Sequence, residues 1–153
     1  MLRKDREITD FDEIIGIINA CKVCRLALHN KDYPYILPLN FGMIIKEDHT
    51  IVLYFHGADK GKKYELIKEN NRVAFEMDYH LDYVSGSLTT HYASVIGTGI
   101  ITFIEKFDQK RDALNILTKH YETNDFEITD KMISGTTVFK LTVHSLTAKK
   151  NIK

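Results

Sequence analysis

Apolar residues in the segment TDFDEIIGIINA recur with the spacing of one helical face: Phe11, Ile14, Ile15 and Ile18 fall at i, i+3, i+4 and i+7. Thr9 or Asp10 stands where an N-cap is needed, and Asp10, Asp12 and Glu13 suit the positive end of the helix dipole. From Cys24 the period drops to two. CRLALHN alternates Cys24, Leu26 and Leu28 against Arg25, Ala27 and His29, and HNKDYP supplies turn residues before a second strand, YILPLNFGMII. The pair reads as a hairpin. A tight connection, KEDHT, leads to a third antiparallel strand, IVLYFH.

Beyond it, KKYELIKENN reads as a short helix and RVAFEMD as a strand, YHLDYVSGSLTTHY as a loop, and ASVIGTGIITFIE as a strand bent at Gly97 and Gly99. DQKRDALNILTKHY is helical, with Leu114, Leu117 and Tyr121 on one side, and TTVFKLTVHSLTAKK alternates again. About six strands, broken by short helices that do not alternate with them regularly, argue against a doubly wound parallel sheet. The expectation is a mainly β fold, a small antiparallel barrel with helices outside and a ligand at its rim or at a subunit interface.

Composition adds limits. The chain has 153 residues, 44% hydrophobic, which suits one domain spanning 1–153. Twenty-one basic residues balance 21 acidic ones, so the overall field gives no reason to expect nucleic acid or an anionic membrane as partner. The opening MLRKDREITDFDEI turns charged where a secretory signal needs an apolar core, and no apolar run approaches the ~20 residues that span a bilayer. A cytoplasmic protein is expected. Cys21 and Cys24 form a CxxC, but zinc needs two further ligands, and neither a second CxxC nor a closely spaced His pair exists. They read as small buried thiols between a helix and a strand, and no metal site is expected.

Charge becomes informative locally. In LYFHGADKGKK a strand runs through His56 and Gly57 into Lys60, Lys62 and Lys63 at the start of a helix. Lysines in a first turn oppose the helix dipole by roughly 0.3–1 kcal/mol each. A bound anion would reverse that sign, because free N–H groups and ammonium groups then converge on one charge, and Gly57 and Gly61 let the backbone approach it. The alternative is that the lysines are simply solvated. The spacing is no Walker loop, which excludes that route to nucleoside triphosphates.

YPYILPLNFGM followed by LYFHGADKGKK resembles the flavin mononucleotide-binding split β-barrel proteins of the pyridoxamine 5′-phosphate oxidase-like superfamily. Within it the chain is similar to the branch of the 5-nitroimidazole resistance proteins. RKDREITDFDEI, CRLAL, PYILPLNF, YFHGA with GKK, YASVIGTGIITFIE and ALNILTKHY occur in that order over roughly residues 1–148. The resemblance implies a split antiparallel β-barrel with short flanking helices, a homodimer with two FMN sites at its interface. It implies that Pro38, Leu39, Asn40 and Phe41 line the flavin ring, largely through backbone groups. His56, Gly57 and Ala58 would lie beside the flavin, Lys62 and Lys63 would reach its phosphate, and Tyr92, Ser94 and Val95 would approach from a further strand. Two features depart from the branch: Gly86, Ser87 and Leu88 occupy a region where many relatives carry cysteine, and Asn71 stands where proline is frequent.

A flavin performs electron transfer itself, so the protein need only bind, orient and tune it. The implied activity is reduction of small electrophilic compounds such as nitroaromatics, with NAD(P)H or another donor. A non-catalytic flavin carrier or sensor is the alternative, and pyridoxamine phosphate oxidation ranks last for want of a second basic cluster. His56 is the candidate for a direct proton-handling role, against a structural histidine bonded to backbone. Tyr92 either stacks on a ring or fills an interface, and Ser94 either bonds phosphate or is an ordinary strand serine. His91 is a weaker substrate-side candidate, His29, His49 and His80 fall in expected turns, His120 has a packing or dipole role, and His144 reads as a barrel residue. Arg25 in a strand needs an anion, either an acid such as Glu76 or the flavin phosphate.

Overall fold

The structure, a computed structural model, describes residues 3–151, without the side chains at 80 and 81, so the reading of His80 lies outside the described residues. After a 3-10 turn at Lys4–Arg6 come β1 (Glu7–Ile8), α1 (Phe11–Ala20), β2 (Cys24–Leu28), β3 (Tyr35–Leu39) and β4 (Gly42–Ile45). β5 (Ile51–Gly57), α2 (Lys62–Glu69), β6 (Arg72–Tyr83) and β7 (Thr90–Ile104) follow, then α3 (Phe107–Lys119), α4 (Asp130–Ser134) and β8 (Thr137–Asn151). The fold is mainly antiparallel β with four short helices.

One antiparallel sheet runs β3-β2-β6-β7-β8-β5-β4, with β1 added on β8. Its two edges, β3 and β4, are joined in the chain by residues 40 and 41 alone. A three-step link from Leu39 to Gly42 spans at most roughly 11 Å, so the sheet must curl until its edges nearly meet. They do not pair. The result is a barrel left open along one seam, consistent with a split β-barrel, and the strand expected over YILPLNFGMII is in fact two. The reason is local: Asn40 and Phe41 break the ladder, and each half finds a different hairpin partner, β2 for β3 and β5 for β4.

Alternation fixes which face is core. In β2 Cys24, Leu26 and Leu28 are buried, as expected from the sequence. Phe41, Phe55, Phe75 and Phe139 are fully buried, and Phe55 stacks on Phe139 at 5.4 Å. α1 buries Ile14, Ile17 and Ile18, and Asp10 caps it by accepting from Glu13 N–H at 2.8 Å. α3 lies over β4 and β5 and buries Ala113, Leu114 and Leu117. Gly42 permits this, because a Cβ there would stand 2.6 Å from the Leu117 Cα.

Two further expectations change. The loop expected over 79–92 is mostly strand: β6 and β7 form a long hairpin whose tip is residues 84–89, turned at Gly86 (φ 74°) and tied by Ser87. His144 is exposed. Thr98 pairs with Ser145 and Gly99 with Val143, so His144 is the extra residue of a β-bulge and swings outward. β1 and α4, each only a few residues long, carry too little periodicity to be read from sequence. Asn71 gives its side-chain amide to Ile101 O at 3.2 Å. Among the described residues, no helix is long and apolar enough to cross a membrane.

Candidate functional site

The site grows from the end of β5. Leu53 and Phe55 point into the barrel, so period two turns Tyr54 and His56 toward the face that α3 covers. His56 is half-buried and its Nδ1 is buried without a hydrogen-bond partner. Burial, and secondarily the Lys63 ammonium, hold the imidazole below its ordinary value of 6.5. It is therefore neutral at pH 7. A stranded N–H at Nδ1 would cost more than an unused lone pair, so the proton belongs on Nε2.

Gly57 follows, and a side chain there would not fit: a Cβ would lie 2.6 Å from Tyr64 Oη and 3.0 Å from Lys63 Nζ. The glycine thus lets the first turn of α2 close on the end of β5. Tyr64 Oη is buried without a well-formed hydrogen bond, the Thr137 side chain being its neighbour, and burial raises the phenol above its usual range.

α2 begins at Lys62 after Gly61, whose φ of 151° favours glycine, and no side chain caps it. Tyr64 N–H donates to Gly61 O at 3.0 Å. Lys62 Nζ sits 5.2 Å from the Tyr35 ring centroid on β3, and Lys63 Nζ 4.6 Å from that of Tyr64. An uncapped helix start thus carries two lysines, one reaching Tyr35 and the other lying against Gly57. These residues fit an anionic group such as a phosphate.

The remaining sequence candidates divide into two sets. Asn40, exposed at the β3–β4 crossing, lines the same pocket as His56. Pro38 is exposed opposite Arg25, Leu39 is half-buried against the core, and Ala58 is exposed just past β5. Phe41 is fully buried and its N–H is engaged by Tyr121 Oη at 2.9 Å. Tyr92, Ser94 and Val95 lie elsewhere. Gly57 pairs with Thr137 at the start of β8, whereas Ser94 pairs with Lys149 near its end, so roughly 40 Å of strand separates them. Within one chain the two sets do not meet, and Val95 points into the core.

Sequence reasoning missed what holds the crossing in place. Tyr121 Oη accepts from Phe41 N–H and donates to Lys22 O at 3.0 Å. His120 Nε2 bonds Cys21 O at 2.8 Å while its ring lies 4.5 Å from that of Phe41. Only their place at a helix end, in TKHY, signalled such a role. Cys21 and Cys24 are free and buried, as expected, with the Cys21 thiol pushed up to about 12, chiefly by burial. Arg25 finds its anions in Glu76 and Asp78 of β6. Among the described residues no cluster of metal ligands occurs.

Comparison with known proteins agrees with this architecture. The family model of pyridoxamine 5′-phosphate oxidase matches residues 10–150. A solved candidate 5-nitroimidazole antibiotic resistance protein from Bacteroides thetaiotaomicron VPI-5482 is 29% identical, with 94% of this chain and 85% of that one covered and a TM-score of 0.81. Two further structures share the fold: an FAD and heme binding protein from Mycobacterium smegmatis (18% identity, 97% and 74% covered, TM-score 0.80) and an FAD-binding protein from Mesorhizobium loti (21%, 96% and 98%, 0.68). No curated protein matches the chain.

Proposed function

From the premise that this chain belongs to the pyridoxamine 5′-phosphate oxidase family, we propose that it is an FMN-dependent oxidoreductase that reduces small electrophilic compounds, nitroaromatics among them. The observation that carries this reading is the uncapped start of α2 bearing Lys62 and Lys63, with the Lys63 ammonium against Gly57, the residue after His56. When bound there, the flavin would supply the electron-transfer chemistry. The two lysines and the free N–H groups at the start of α2 would hold its phosphate, and the crossing at Asn40, fixed through the Phe41–Tyr121 bond, would face its ring. Neutral His56 would donate a hydrogen bond from Nε2 to an acceptor beside the ring, holding it in place without giving up the proton.

The second set of residues enters through a partner. Tyr92 and Ser94 lie too far along the β7–β8 ribbon to reach the same chain's α2, and a homodimer brings the partner's ribbon to each cradle. The outer sheet face bearing Ile36 and Ile96, 65% and 55% exposed, offers apolar surface for such a contact. The likeness to the Bacteroides protein points the substrate toward nitro compounds. Anaerobic reduction of the FMN-loaded protein by NADH or NADPH, followed by addition of a nitroarene, tests the activity. Reoxidation by the nitroarene is expected. A flavin that binds but accepts no electrons from either donor, and passes none on, would leave a carrier or sensor instead.

A further inference from the structure

A pocket of about 330 Å³ opens from the His56 end of β5 into the space between the barrel and the helices α3 and α4. Of the residues assigned to the cofactor, only His56 and Asn40 line it. Its walls are Leu114 and Leu117 from α3, Phe126 and Ile128 from the segment leading into α4, and Met132 from α4 itself.

The polar groups of those walls are already spent inside the protein. The Thr118 hydroxyl donates to Asn115 O at 3.0 Å and the Thr136 hydroxyl to Met132 O at 2.7 Å. Tyr121 Oη is held between Phe41 N–H and Lys22 O. The one charged lining residue is Glu122, which is exposed, and no lining residue is basic. An occupant therefore meets mostly apolar walls and finds free donor capacity at the His56 and Asn40 end. An anionic group inside would lie unpaired, which is costly.

We propose that this pocket is the acceptor site, binding a flat, uncharged ring compound with its polar edge toward His56 and Asn40 and its body between α3 and α4. The inference rests on the flavin reading of the β5 end, which places the electron source beside the same two residues. It separates the substrate class from phosphorylated or carboxylated compounds, for which the pocket has no cation.

Two fluorescent probes that share their rings test it. N-phenyl-1-naphthylamine is uncharged, and 8-anilinonaphthalene-1-sulfonate adds a sulfonate. Titrated into FMN-loaded protein, the uncharged probe is expected to bind once per chain, roughly tenfold or more tighter than the sulfonate. Met132→Lys, at a position 46% exposed and so safe for the fold, should cut that preference to below about threefold. Thr118→Trp should abolish binding of the uncharged probe while flavin absorbance persists. Equal affinity for the two probes, or binding untouched by both substitutions, would overturn the pocket. Displacement of FMN by the probe would also overturn it, by making the pocket part of the cofactor site. Wild-type protein that binds the uncharged probe with the expected preference but takes up no flavin would keep the pocket and remove the flavin reading.

Discussion

Two helices follow two different rules at their starts. α1 is capped by Asp10 and carries Asp12 and Glu13 in its first turn, so its start is built to favour the helix. α2 opens on Gly61, has no side-chain cap, and places Lys62 and Lys63 where the dipole disfavours them. The difference teaches where the chain gives up local stability. A helix start built against its own dipole makes sense when something negative completes it.

The largest expected effect comes from reversing that charge. Lys62→Glu with Lys63→Glu should weaken FMN affinity by well over tenfold, more than ~1.4 kcal/mol, in an equilibrium titration. Unchanged affinity would remove these lysines from the site. The mirror experiment at α1, Asp10→Ala, should cost about 1 kcal/mol of unfolding free energy in urea and leave flavin affinity alone. Without ligand, Lys62→Gln should raise stability by roughly 0.3–1 kcal/mol, less whatever its contact with Tyr35 contributes; a loss of stability would mean that contact outweighs the dipole.

The smallest effect is the pH dependence of His56. Its folded pKa is depressed, chiefly by burial, so above the ordinary 6.5 both folded and unfolded states hold it neutral and stability is full. As pH falls below 6.5 the unfolded chain takes up the proton first, and stability declines through the folded value. His120, also depressed chiefly by burial, acts in the same direction. Thermal melts from pH 7.5 down to pH 5 should show a drop that His56→Gln makes shallower. An equal drop in that variant would assign the effect to other groups.

Much of this contrast is legible in the sequence. Asp10, Asp12 and Glu13 announce one helix start and GKK the other, and the alternation of β2 follows from its period alone. What sequence could not show depends on the third dimension. The split of YILPLNFGMII requires knowing that β3 and β4 pair with different partners. The outward turn of His144 comes from a bulge set by the register between β7 and β8. Tyr121 became visible as the clamp on Phe41 only once residues 80 positions apart were brought together. The pocket under α3 and α4 draws on segments whose periodicity says nothing of a shared cavity.

The most direct test of the anion-bearing cradle compares FMN with riboflavin, which has the same ring and no phosphate. Titrated into the purified protein, FMN should bind at least about tenfold tighter, and Lys62→Glu with Lys63→Glu should erase the difference. Equal binding of the two by the wild-type protein would contradict the assignment of the α2 start as a phosphate site.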